Sequence, residues 1–424
     1  MRLAVVGGGW AGLAAAVRAT EAGHQVALFE MAAQWGGRAR AVEVDGLPLD
    51  NGQHILIGAY VRTLDLMKAV GADANAGLLR LPLALRYPDG RGLRMPHGPA
   101  WLVFGLAVLR AEGWTWRDKL GLLRAALGWA ASGFRCTPAA TVEQLCAGVP
   151  PRVRQLMIDP LCVAALNTPA ADASGAVFLR VLRDALFSGA GSADLLLPRQ
   201  TLSQLLPLPA CAWLAARGAA LHLGSRVDEL TRAGSGWQVR GETFDAVVLA
   251  CSAGEAARLA SPHHAAWAAR AAAFAYEPII TVYVRSEGAR LAQAMTALLD
   301  GPQAPAQFVF DHGALGGTPG VFAFVVSGAR AWVDAGLAAT GQAVLLQAQR
   351  DFPAGTWATP PRVLRVLAEK RATFRCAPAL DRPEQVIAPG LMAAGDYVAG
   401  PYPATLEGAV RSGEAAAGHF EGAL

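Results

Sequence analysis

The sequence predicts an α/β protein that combines a Rossmann-like nucleotide-binding domain with a second domain of mixed sheet and a helical insertion. Three observations support this prediction. An apolar run at the start of the chain passes directly into a glycine-rich turn and an alanine-rich helix. Strand patterns return in the middle of the chain and near its C-terminal end. A strongly apolar helical stretch separates the first of these parts from the second.

The first turn carries the fingerprint of a dinucleotide site. Residues 2–6 form an apolar run that is typical of a strand buried on both faces. Glycines then occupy the three positions of the motif. Gly7 permits the tight turn, Gly9 lets a pyrophosphate approach the backbone, and Gly12 lets helix and strand pack closely. The spacing therefore predicts that a dinucleotide lies against this turn.

The residues around the turn strengthen that prediction. Trp10 and Ala11 stand inside the motif, and a helix predicted over residues 13–22 points its N-terminal amides and positive dipole end at the phosphates. Glu30 closes the next predicted strand, where this fold places the acid that accepts a ribose hydroxyl. A ligand-free glycine turn is the alternative, but it requires none of these neighbours. The charge of Glu30 also argues against a 2'-phosphate, and so against NADP.

A second glycine turn indicates a flavin. Gly37 is followed by Arg38 and Arg40, and this segment resembles the second glycine motif of glutathione-reductase-like flavoproteins of the amine oxidase and phytoene desaturase type. In that group the arginine pair lies over the pyrophosphate. The resemblance therefore implies FAD as the cofactor and assigns these three residues to it. A solvated surface is the alternative for two arginines.

The same resemblance implies further contacts to FAD. One segment would run beside the isoalloxazine, although a strand-ending turn is its plainer interpretation. A residue in the middle of the chain would present its backbone to the adenine. Near the C-terminal end, an aspartate would bind the ribityl chain and a helix N-terminus would face a flavin carbonyl. The segment beside the isoalloxazine contains Gly52 and Gln53, and the adenine contact is Val227. The aspartate is Asp396, preceded by Gly395, and the helix N-terminus is formed by Thr405 and Leu406.

Composition excludes several classes of function. Hydrophobic residues make up 53% of the 424 residues and charged residues 17%, so a large core can form. The formal net charge is +4, and no basic run with interleaved aromatics occurs, so nucleic acid is not an expected partner. The six cysteines form no C-x-x-C pair and no zinc-like cluster, which predicts a reduced, cytoplasmic protein without a bound metal. No leader is expected, and no apolar stretch reaches the ~20 residues that a membrane-spanning helix needs.

We predict that the two domains interleave along the chain. The FAD-binding domain is assigned to residues 1–75, 205–262 and 385–424. The substrate domain is assigned to residues 76–204 and 263–384, with the helical insertion at 98–190. Local patterns further predict continuous helices over 151–166 and 201–217 and a strand over 225–230.

Three longer stretches narrow the resemblance. Residues 50–60, residues 160–169 and residues 395–413 together look like the hydroxysqualene dehydroxylases of bacterial hopanoid synthesis, and the resemblance covers essentially the whole chain. It implies reductive removal of the hydroxyl from hydroxysqualene to give squalene. Protonation makes the allylic hydroxyl a leaving group, and hydride from N5 of a reduced flavin quenches the allylic cation. No nicotinamide site is visible, so the electron donor is left open.

Four side chains are candidates for the chemistry. His54, next to the flavin segment, is the first choice for the proton donor, and a satisfied core histidine is an equally open interpretation. Asn167 and Tyr402 are candidate donors near the reacting carbon, and Tyr402 could instead be a packing wall. Glu407 is an alternative acid if burial raises its pKa. Its plainer role is a charge that the dipole of the last helix favours.

Other functions remain in view. A carotenoid-type desaturase would use the same fold oxidatively, and a non-enzymatic isoprenoid carrier would resemble the GDP-dissociation inhibitors of small GTPases. The intact glycine motifs speak against the carrier. Because squalene-type substrates are almost insoluble in water, we also expect peripheral docking on the inner membrane through residues 99–116. An ordinary core helix is the alternative for that segment, and length alone favours it.

Overall fold

The computed structural model describes residues 1–96, 98 and 100–420, without the side chains of Ala100 and Trp101. Its helices, in chain order, are α1 (Trp10–Glu21), α2 (Val61–Ala69), α3 (Ala74–Gly77), α4 (Ala100–Arg110), α5 (Trp116–Ala131), α6 (Val142–Leu145), α7 (Pro151–Val153), α8 (Asp159–Leu166), α9 (Gly175–Phe187), α10 (Leu202–Leu205), α11 (Pro207–Ala215), α12 (Ala253–Ala260), α13 (Ala265–Ala272), α14 (Arg330–Ala335), α15 (Leu337–Asp351) and α16 (Leu406–Gly418).

The strands, in chain order, are β1 (Arg2–Val6), β2 (Gln25–Phe29), β3 (Ala41–Val44), β4 (Leu47–Asp50), β5 (Leu56–Ile57), β6 (Leu78–Leu81), β7 (Ala84–Arg86), β8 (Gly92–Arg94), β9 (Leu195–Pro198), β10 (Ala220–His222), β11 (Leu230–Ala233), β12 (Gly236–Val239), β13 (Glu242–Phe244), β14 (Ala246–Leu249), β15 (Tyr276–Arg285), β16 (Met295–Ala297), β17 (Phe308–Asp311), β18 (Val321–Val326), β19 (Arg362–Phe374), β20 (Val386–Ala388) and β21 (Leu391–Ala393).

A six-stranded sheet with the order β10-β2-β1-β14-β21-β20 forms the nucleotide-binding part. The five strands from β10 to β21 are parallel to one another, and β20 pairs antiparallel with β21 at the edge. Strands β1 and β14 are buried along almost their whole length, as expected for a parallel sheet covered on both faces. This sheet confirms the predicted α/β class, and it draws its strands from three separate stretches of the chain.

Helices α1 and α16, near the two ends of the chain, pack tightly on this sheet. Gly413 makes the contact possible, because a Cβ at this position would overlap the carbonyl oxygen of Ala11. The buried side chains of α1 are mostly alanine, and Ala11 and Ala14 lie next to Gly413, so the two helix backbones can approach closely. The C-terminal helix therefore holds the helix that follows the first glycine turn.

A second, five-stranded sheet has the order β16-β17-β18-β15-β19 and is antiparallel throughout. Its centre, β18, is buried at every residue, and helix α15 packs against β19. Strand β15 shifts register against β19 at two places, which bends the long pair. One face of this sheet closes over the carboxyl ends of the parallel strands.

The helical insertion forms as predicted, with one irregular segment. Helices α4 to α9 share a core that includes Leu122, Trp129 and Phe178. The helix predicted over residues 151–166 is not continuous, because residues 154–158 widen into a π-helical turn before Pro160. Proline cannot donate to the carbonyl four residues earlier and its ring crowds that carbonyl, and the wider turn accommodates both effects.

Two predicted elements are wrong. Residues 225–229 form a loop, not a strand, because Arg258 takes the carbonyl oxygens of Val227 and Asp228 that a neighbouring strand would have bonded. The helix predicted over 201–217 breaks at Leu206, which has φ −140° and ψ −52°. The residue before a proline is disfavoured in the helical region, and Pro207 therefore starts a new helix.

Candidate active site

A cavity of about 430 Å³ lies between the two sheets. Its walls come from the two glycine turns, the antiparallel sheet, the N-terminal end of α16 and helix α8 of the insertion. The sequence separates these elements by hundreds of residues, and the fold brings them to the carboxyl ends of β1, β14 and β21. Ligands of open α/β sheets bind at this edge.

The three glycines of the first turn have different roles. A Cβ at Gly12 would overlap the carbonyl oxygen of Gly7, and a Cβ at Gly7 would lie 2.6 Å from the carbonyl oxygen of Ala250. These two glycines are required by the fold and do not line the cavity. Gly9 does line it, and the nearest protein atom to a Cβ there is 3.8 Å away. The protein thus leaves open the space in front of Gly9, as a bound pyrophosphate requires.

Glu30 orders this turn and faces the cavity. Its Oε2 accepts a hydrogen bond of 2.7 Å from the amide of Gly8, and its Oε1 accepts one of 2.8 Å from the amide of Ala32. Each carboxylate oxygen can accept a second bond, so a ribose hydroxyl can still be held here. Trp10 and Ala11 line the same end, and the indole of Trp10 donates to the carbonyl of Ala39, which joins the two glycine turns.

Arg38 and Asp396 form the electrostatic centre of the cavity wall. Their closest atoms lie 2.6 Å apart, and Arg38 also donates to the carbonyl of Ala372 at 2.7 Å. Burial by itself lowers the pKa of Arg38, but the carboxylate of Asp396 outweighs burial and raises the pKa overall. The predicted contact residues Gly37 and Gly395 flank this pair and also line the cavity.

Besides Gly7 and Gly12, two further predicted cofactor residues do not line the cavity. Arg40 turns back and donates to the carbonyl of Gly37, so it stabilises the turn and does not lie over a pyrophosphate. Val227 also lies off the cavity, because its backbone is drawn towards Arg258, whose guanidinium donates to the Val227 carbonyl at 3.0 Å. Ser252 and Glu255 line the cavity in this region instead.

The N-terminal end of α16 opens onto the cavity. Thr405 is its N-cap, and the hydroxyl of Thr405 accepts a 3.0 Å hydrogen bond from the amide of Gly408. Leu406 follows it in the cavity wall, with Gly52 and Gln53 as further predicted lining residues. The positive end of the helix dipole therefore points at the place where a ligand acceptor group would be stabilised.

His54 lines the cavity and has one ring nitrogen committed. Its Nδ1 lies 2.7 Å from the carbonyl oxygen of Gly52, and because a carbonyl can only accept, Nδ1 carries the proton. Burial lowers the pKa of His54, the Gly52 carbonyl raises it, and the charge of Arg38 lowers it further. The resting imidazole is therefore neutral at pH 7, with Nε2 available to a ligand.

Asn167 lines the cavity but has its hydrogen-bonding capacity in use. It ends α8 with φ 47°, and its amide nitrogen donates at 3.0 Å to both the Glu277 carbonyl and the Thr373 hydroxyl. Its oxygen accepts from the amide of Gly328 at 2.7 Å. The predicted role of Asn167 as a donor to the reacting carbon is therefore wrong: it fixes α8 to the antiparallel sheet.

Tyr402 and Glu407 lie away from the cavity lining, contrary to their predicted roles. The ring of Tyr402 lies between two guanidinium groups, with Arg180 at 5.3 Å and Arg411 at 5.2 Å from its centroid. Glu407 is fully buried, and its carboxylate accepts hydrogen bonds from the backbone of α2 and from Arg411. Each carboxylate oxygen already accepts two hydrogen bonds, so we assign Glu407 a structural role.

The part of the cavity furthest from the glycine turns is apolar. Helix α8 and strands β15, β17 and β18 supply its walls, with the side chains Val163, Ala164, Ile279, Phe308, Phe310 and Val325. The charged lining residues belong to other elements and are Glu30, Arg38, Glu255, Glu369 and Asp396. Among these charged residues, Glu369 lies directly opposite Ile279 in the β15–β19 pair and acts on Arg38, so it marks the polar edge of this region. The remaining walls suit a hydrocarbon.

The sequence interpretation missed three residues of the lining or its edge. The hydroxyl of Tyr397 is buried in the cavity wall with no partner among the described residues, and burial raises its pKa well above the usual value. The buried hydroxyl of Thr281, near Gly52, likewise has no described partner. Tyr60 lines the cavity and hydrogen-bonds to Thr405. Only the first had a signal, because Tyr397 follows the Gly-Asp pair directly.

Two negative results apply to the described part of the chain. No cluster of histidine, cysteine, aspartate and glutamate there could hold a metal ion. None of the helices in residues 1–96, 98 and 100–420 has the length and apolar character to cross a bilayer.

This fold and its glycine-lined cavity are those of an FAD-dependent oxidoreductase, and the open space at Gly9 and the unpartnered Tyr397 hydroxyl fit such a cofactor. Residues 10–419 match the family model described as flavin containing amine oxidoreductase, and the chain belongs to this family. FAD is therefore the cofactor of this protein, as predicted.

Curated relatives confirm the narrower resemblance. The chain is 29% identical to hydroxysqualene dehydroxylase of Rhodopseudomonas palustris, with 97% of this chain and 96% of that protein covered. It is 26% identical to hydroxysqualene dehydroxylase of Zymomonas mobilis, with 97% of each covered. Among solved structures, cyclohexylamine oxidase from Brevibacterium oxydans has a TM-score of 0.72 at 16% identity and covers 100% of this chain and 99% of its own. The last likeness concerns the fold alone.

Proposed function

We propose that the protein removes the hydroxyl group of hydroxysqualene reductively and releases squalene, as a step that supplies hopanoid synthesis. The apolar part of the cavity carries this proposal, because it can enclose a hydrocarbon chain next to the cofactor. Similarity to zeta-carotene desaturase of Synechocystis covers only 18% of this chain, against 97% for the hydroxysqualene dehydroxylases. The relatives therefore favour the reductive reaction over desaturation.

The reaction consumes one proton and one hydride equivalent. The carbon–oxygen bond breaks with both electrons on oxygen, which takes a proton and leaves as water, and the allylic carbon accepts a hydride. When bound in its reduced form, FAD supplies that hydride. The apolar walls exclude bulk water, which would otherwise capture the allylic carbon.

His54 is our candidate for the proton donor. Its Nδ1–H is held by the Gly52 carbonyl, so an added proton would sit on Nε2, the nitrogen that is free to meet a substrate oxygen. Burial and the charge of Arg38 both disfavour the imidazolium, which makes it a stronger acid once formed. The Gly52 hydrogen bond fixes the ring orientation through the transfer.

The residues that would hold FAD are those that line the polar part of the cavity. Gly9 would give the pyrophosphate backbone access, and Arg38, fixed by Asp396, would supply positive charge. The helix end at Thr405 would stabilise a partially negative acceptor. Tyr397 would donate its unpartnered hydroxyl to the bound group.

The substrate also bears on location and electron supply. Hydroxysqualene and squalene partition into lipid, so we place the protein on the cytoplasmic surface of the inner membrane as a peripheral protein. We assign reduction of the flavin to a separate reductase or to free reduced flavin.

An anaerobic single-turnover assay tests the proposal. The holoprotein is reduced chemically, mixed with detergent-dispersed hydroxysqualene, and followed by flavin absorbance and by mass spectrometry of the lipid extract. We expect one squalene for each flavin reoxidised. Oxidised holoprotein that converts phytoene or squalene to a more unsaturated product, with no squalene formed from hydroxysqualene, would instead establish a desaturase.

A further inference from the structure

Three of the four most exposed large apolar side chains of the described residues lie on one helix of the helical insertion, α5. Trp116, Leu120 and Leu127 on α5 are 67%, 61% and 72% exposed, and Leu109 at the end of α4 is 41% exposed. The four residues lie close together in sequence, at the end of α4 and along α5. An exposed apolar patch of this kind marks an interaction surface.

The three apolar residues of α5 form one stripe. They are spaced by four and seven residues, and these intervals correspond to whole turns of an α-helix. The opposite face of α5 carries the buried side chains Leu122 and Trp129. Helix α5 thus has one apolar face that is buried in the insertion and a second apolar stripe that faces solvent.

Cations border the stripe, and the acids near the start of α5 are either buried or paired. Arg117 and Arg124 are exposed and form no ion pair with a described residue. Lys119 lies on the other side, with its Nζ 5.2 Å from the ring centroid of Trp116 and bonded to the carbonyl of Leu109. Asp118 is buried in the capping box of the helix, and Glu112 is paired with Arg86. The surface is therefore positive around an apolar centre.

The predicted docking segment, residues 99–116, covers helix α4 and reaches Trp116. Of the described side chains of α4, Leu102 and Leu109 are 44% and 41% exposed. Val103, Phe104 and Val108 of the same helix are 5%, 6% and 0% exposed and belong to the core of the insertion. Pro99 and the side chain of Trp101 lie outside the described residues. Within the predicted segment, Trp116 belongs to the outward face of α5, and the rest of that face lies beyond the segment.

We infer that the outward face of α5, defined by Trp116, Leu120 and Leu127 with Arg117 and Arg124, docks the protein on an anionic phospholipid bilayer. This inference rests on the proposed function for its biological purpose but on the surface itself for its evidence. Leucines insert below the headgroups, tryptophan sits at headgroup level, and arginines meet the lipid phosphates. Helix α5 packs on α7, in the helical unit whose α8 walls the cavity, so docking places that wall at the lipid source.

Vesicle flotation of the FAD-loaded full-length protein tests the inference without any substrate. The variants are Leu120→Ser with Leu127→Ser, and Arg117→Ala with Arg124→Ala. The matched control is Leu346→Ser on α15, where the leucine is 66% exposed and lies on another element. Vesicles of phosphatidylcholine with and without phosphatidylglycerol serve as the lipid.

We expect wild type to float with the anionic vesicles and to be released by salt. The leucine pair should weaken binding at least about tenfold, because two largely exposed leucines no longer enter the apolar layer. The arginine pair should weaken it about twentyfold on anionic vesicles, at about fivefold for each cation. Leu346→Ser should bind as wild type does.

Three results would overturn the inference. They are wild-type protein that does not float with anionic vesicles, a leucine-pair variant that binds vesicles as wild type does, and a Leu346→Ser variant that loses as much vesicle binding as the leucine pair. A wild-type dimer that the leucine pair dissociates would assign the face to a second copy of the chain. Turnover of detergent-dispersed hydroxysqualene separates this question from the proposed function. The leucine-pair variant should retain this turnover. Absence of turnover in the wild type would refute the proposed function, while the flotation result would still stand.

Discussion

The carboxylate of Glu407 accepts hydrogen bonds from both the amide and the hydroxyl of Thr63, at 2.9 and 2.8 Å from the same oxygen. Its other oxygen accepts from the amide of Arg62 at 3.1 Å and from the guanidinium of Arg411 at 2.7 Å. Both amides belong to the first turn of α2, whose N–H groups lack partners inside the helix. A side chain of the last helix thus caps a helix from the first part of the chain.

Glu407→Gln should therefore destabilise the protein. Glutamine has one acceptor oxygen, and its NH₂ would face donors, so we expect a loss of roughly 3 kcal/mol, as for breaking a buried charged network. Urea unfolding measures it. Asp65→Asn is the control, because Asp65 makes an exposed 3.8 Å pair with Arg62 and should cost under ~1 kcal/mol. Normal stability with abolished turnover would restore Glu407 as an acid.

Gly9→Val and Gly12→Ala should fail in different ways. Valine at position 9 meets no protein atom at its Cβ within 3.8 Å, so the variant should fold with wild-type circular dichroism and lose its flavin. Alanine at position 12 collides with the Gly7 carbonyl oxygen, so that variant should not fold. Flavin absorbance per folded protein is the measurement. A Gly9→Val protein with full flavin content would contradict the assignment of this turn.

Tyr397→Phe should change apoprotein stability and cofactor affinity in opposite directions. Removing a buried hydroxyl without a described partner leaves the apoprotein as stable as wild type, or up to about 1 kcal/mol more stable. If the hydroxyl bonds the cofactor, FAD affinity should fall about two- to tenfold. Thermal melts of apoprotein and FAD titration measure the two quantities. Unchanged FAD affinity would show that the hydroxyl meets no cofactor atom.

His54→Ala should slow dehydroxylation by roughly 10²–10⁴-fold with flavin still bound. Because burial lowers the pKa of His54, the imidazolium exists only below the usual histidine range. If it is the donor, kcat/KM should be constant at low pH and fall as pH rises through that lowered pKa. Loss of this pH dependence in His54→Ala, while flavin content stays normal, checks the assignment. A flat wild-type profile would exclude His54.

The same shift links His54 to stability. Its neutral form is favoured in the folded protein, so its contribution is present above the ordinary pKa and decreases as pH falls towards the lowered one. Comparing wild type with His54→Ala in urea at two pH values isolates this contribution. A destabilisation of wild type on acidification that is smaller in the variant is the expected result.

The glycine motifs were predictable because each glycine reflects a local backbone requirement. Gly7, with φ 113°, and Gly12, against a neighbouring carbonyl, leave little choice of side chain. The roles of Asn167 and Glu407 were not predictable, because the partners of Asn167 and the α2 partners of Glu407 lie more than a hundred residues away in the chain. Local spacing shows that such residues are polar, but only the tertiary fold shows which donors and acceptors they meet.

The wrong elements have the same origin. The strand predicted over residues 225–230 has the right residue types, yet Arg258 satisfies its carbonyls. The docking segment was predicted over residues 99–116 because of their apolar content. Val103, Phe104 and Val108 of this segment pack into the insertion core, whereas Trp116 is exposed, and docking itself stays a prediction. Helix α5 has fewer apolar residues than α4, but Trp116, Leu120 and Leu127 are exposed and can therefore contact a membrane.

The contact of α1 with α16 determines when during synthesis the cofactor site can form. Strand β1 needs β14 and β21 as neighbours, and Gly413 must reach Ala11 before α1 is covered. The first glycine turn leaves the ribosome early, but more than 380 residues must follow before its sheet is complete. Ribosome-bound chains that stop before β20 should therefore bind no flavin, and the cofactor enters a nearly finished polypeptide.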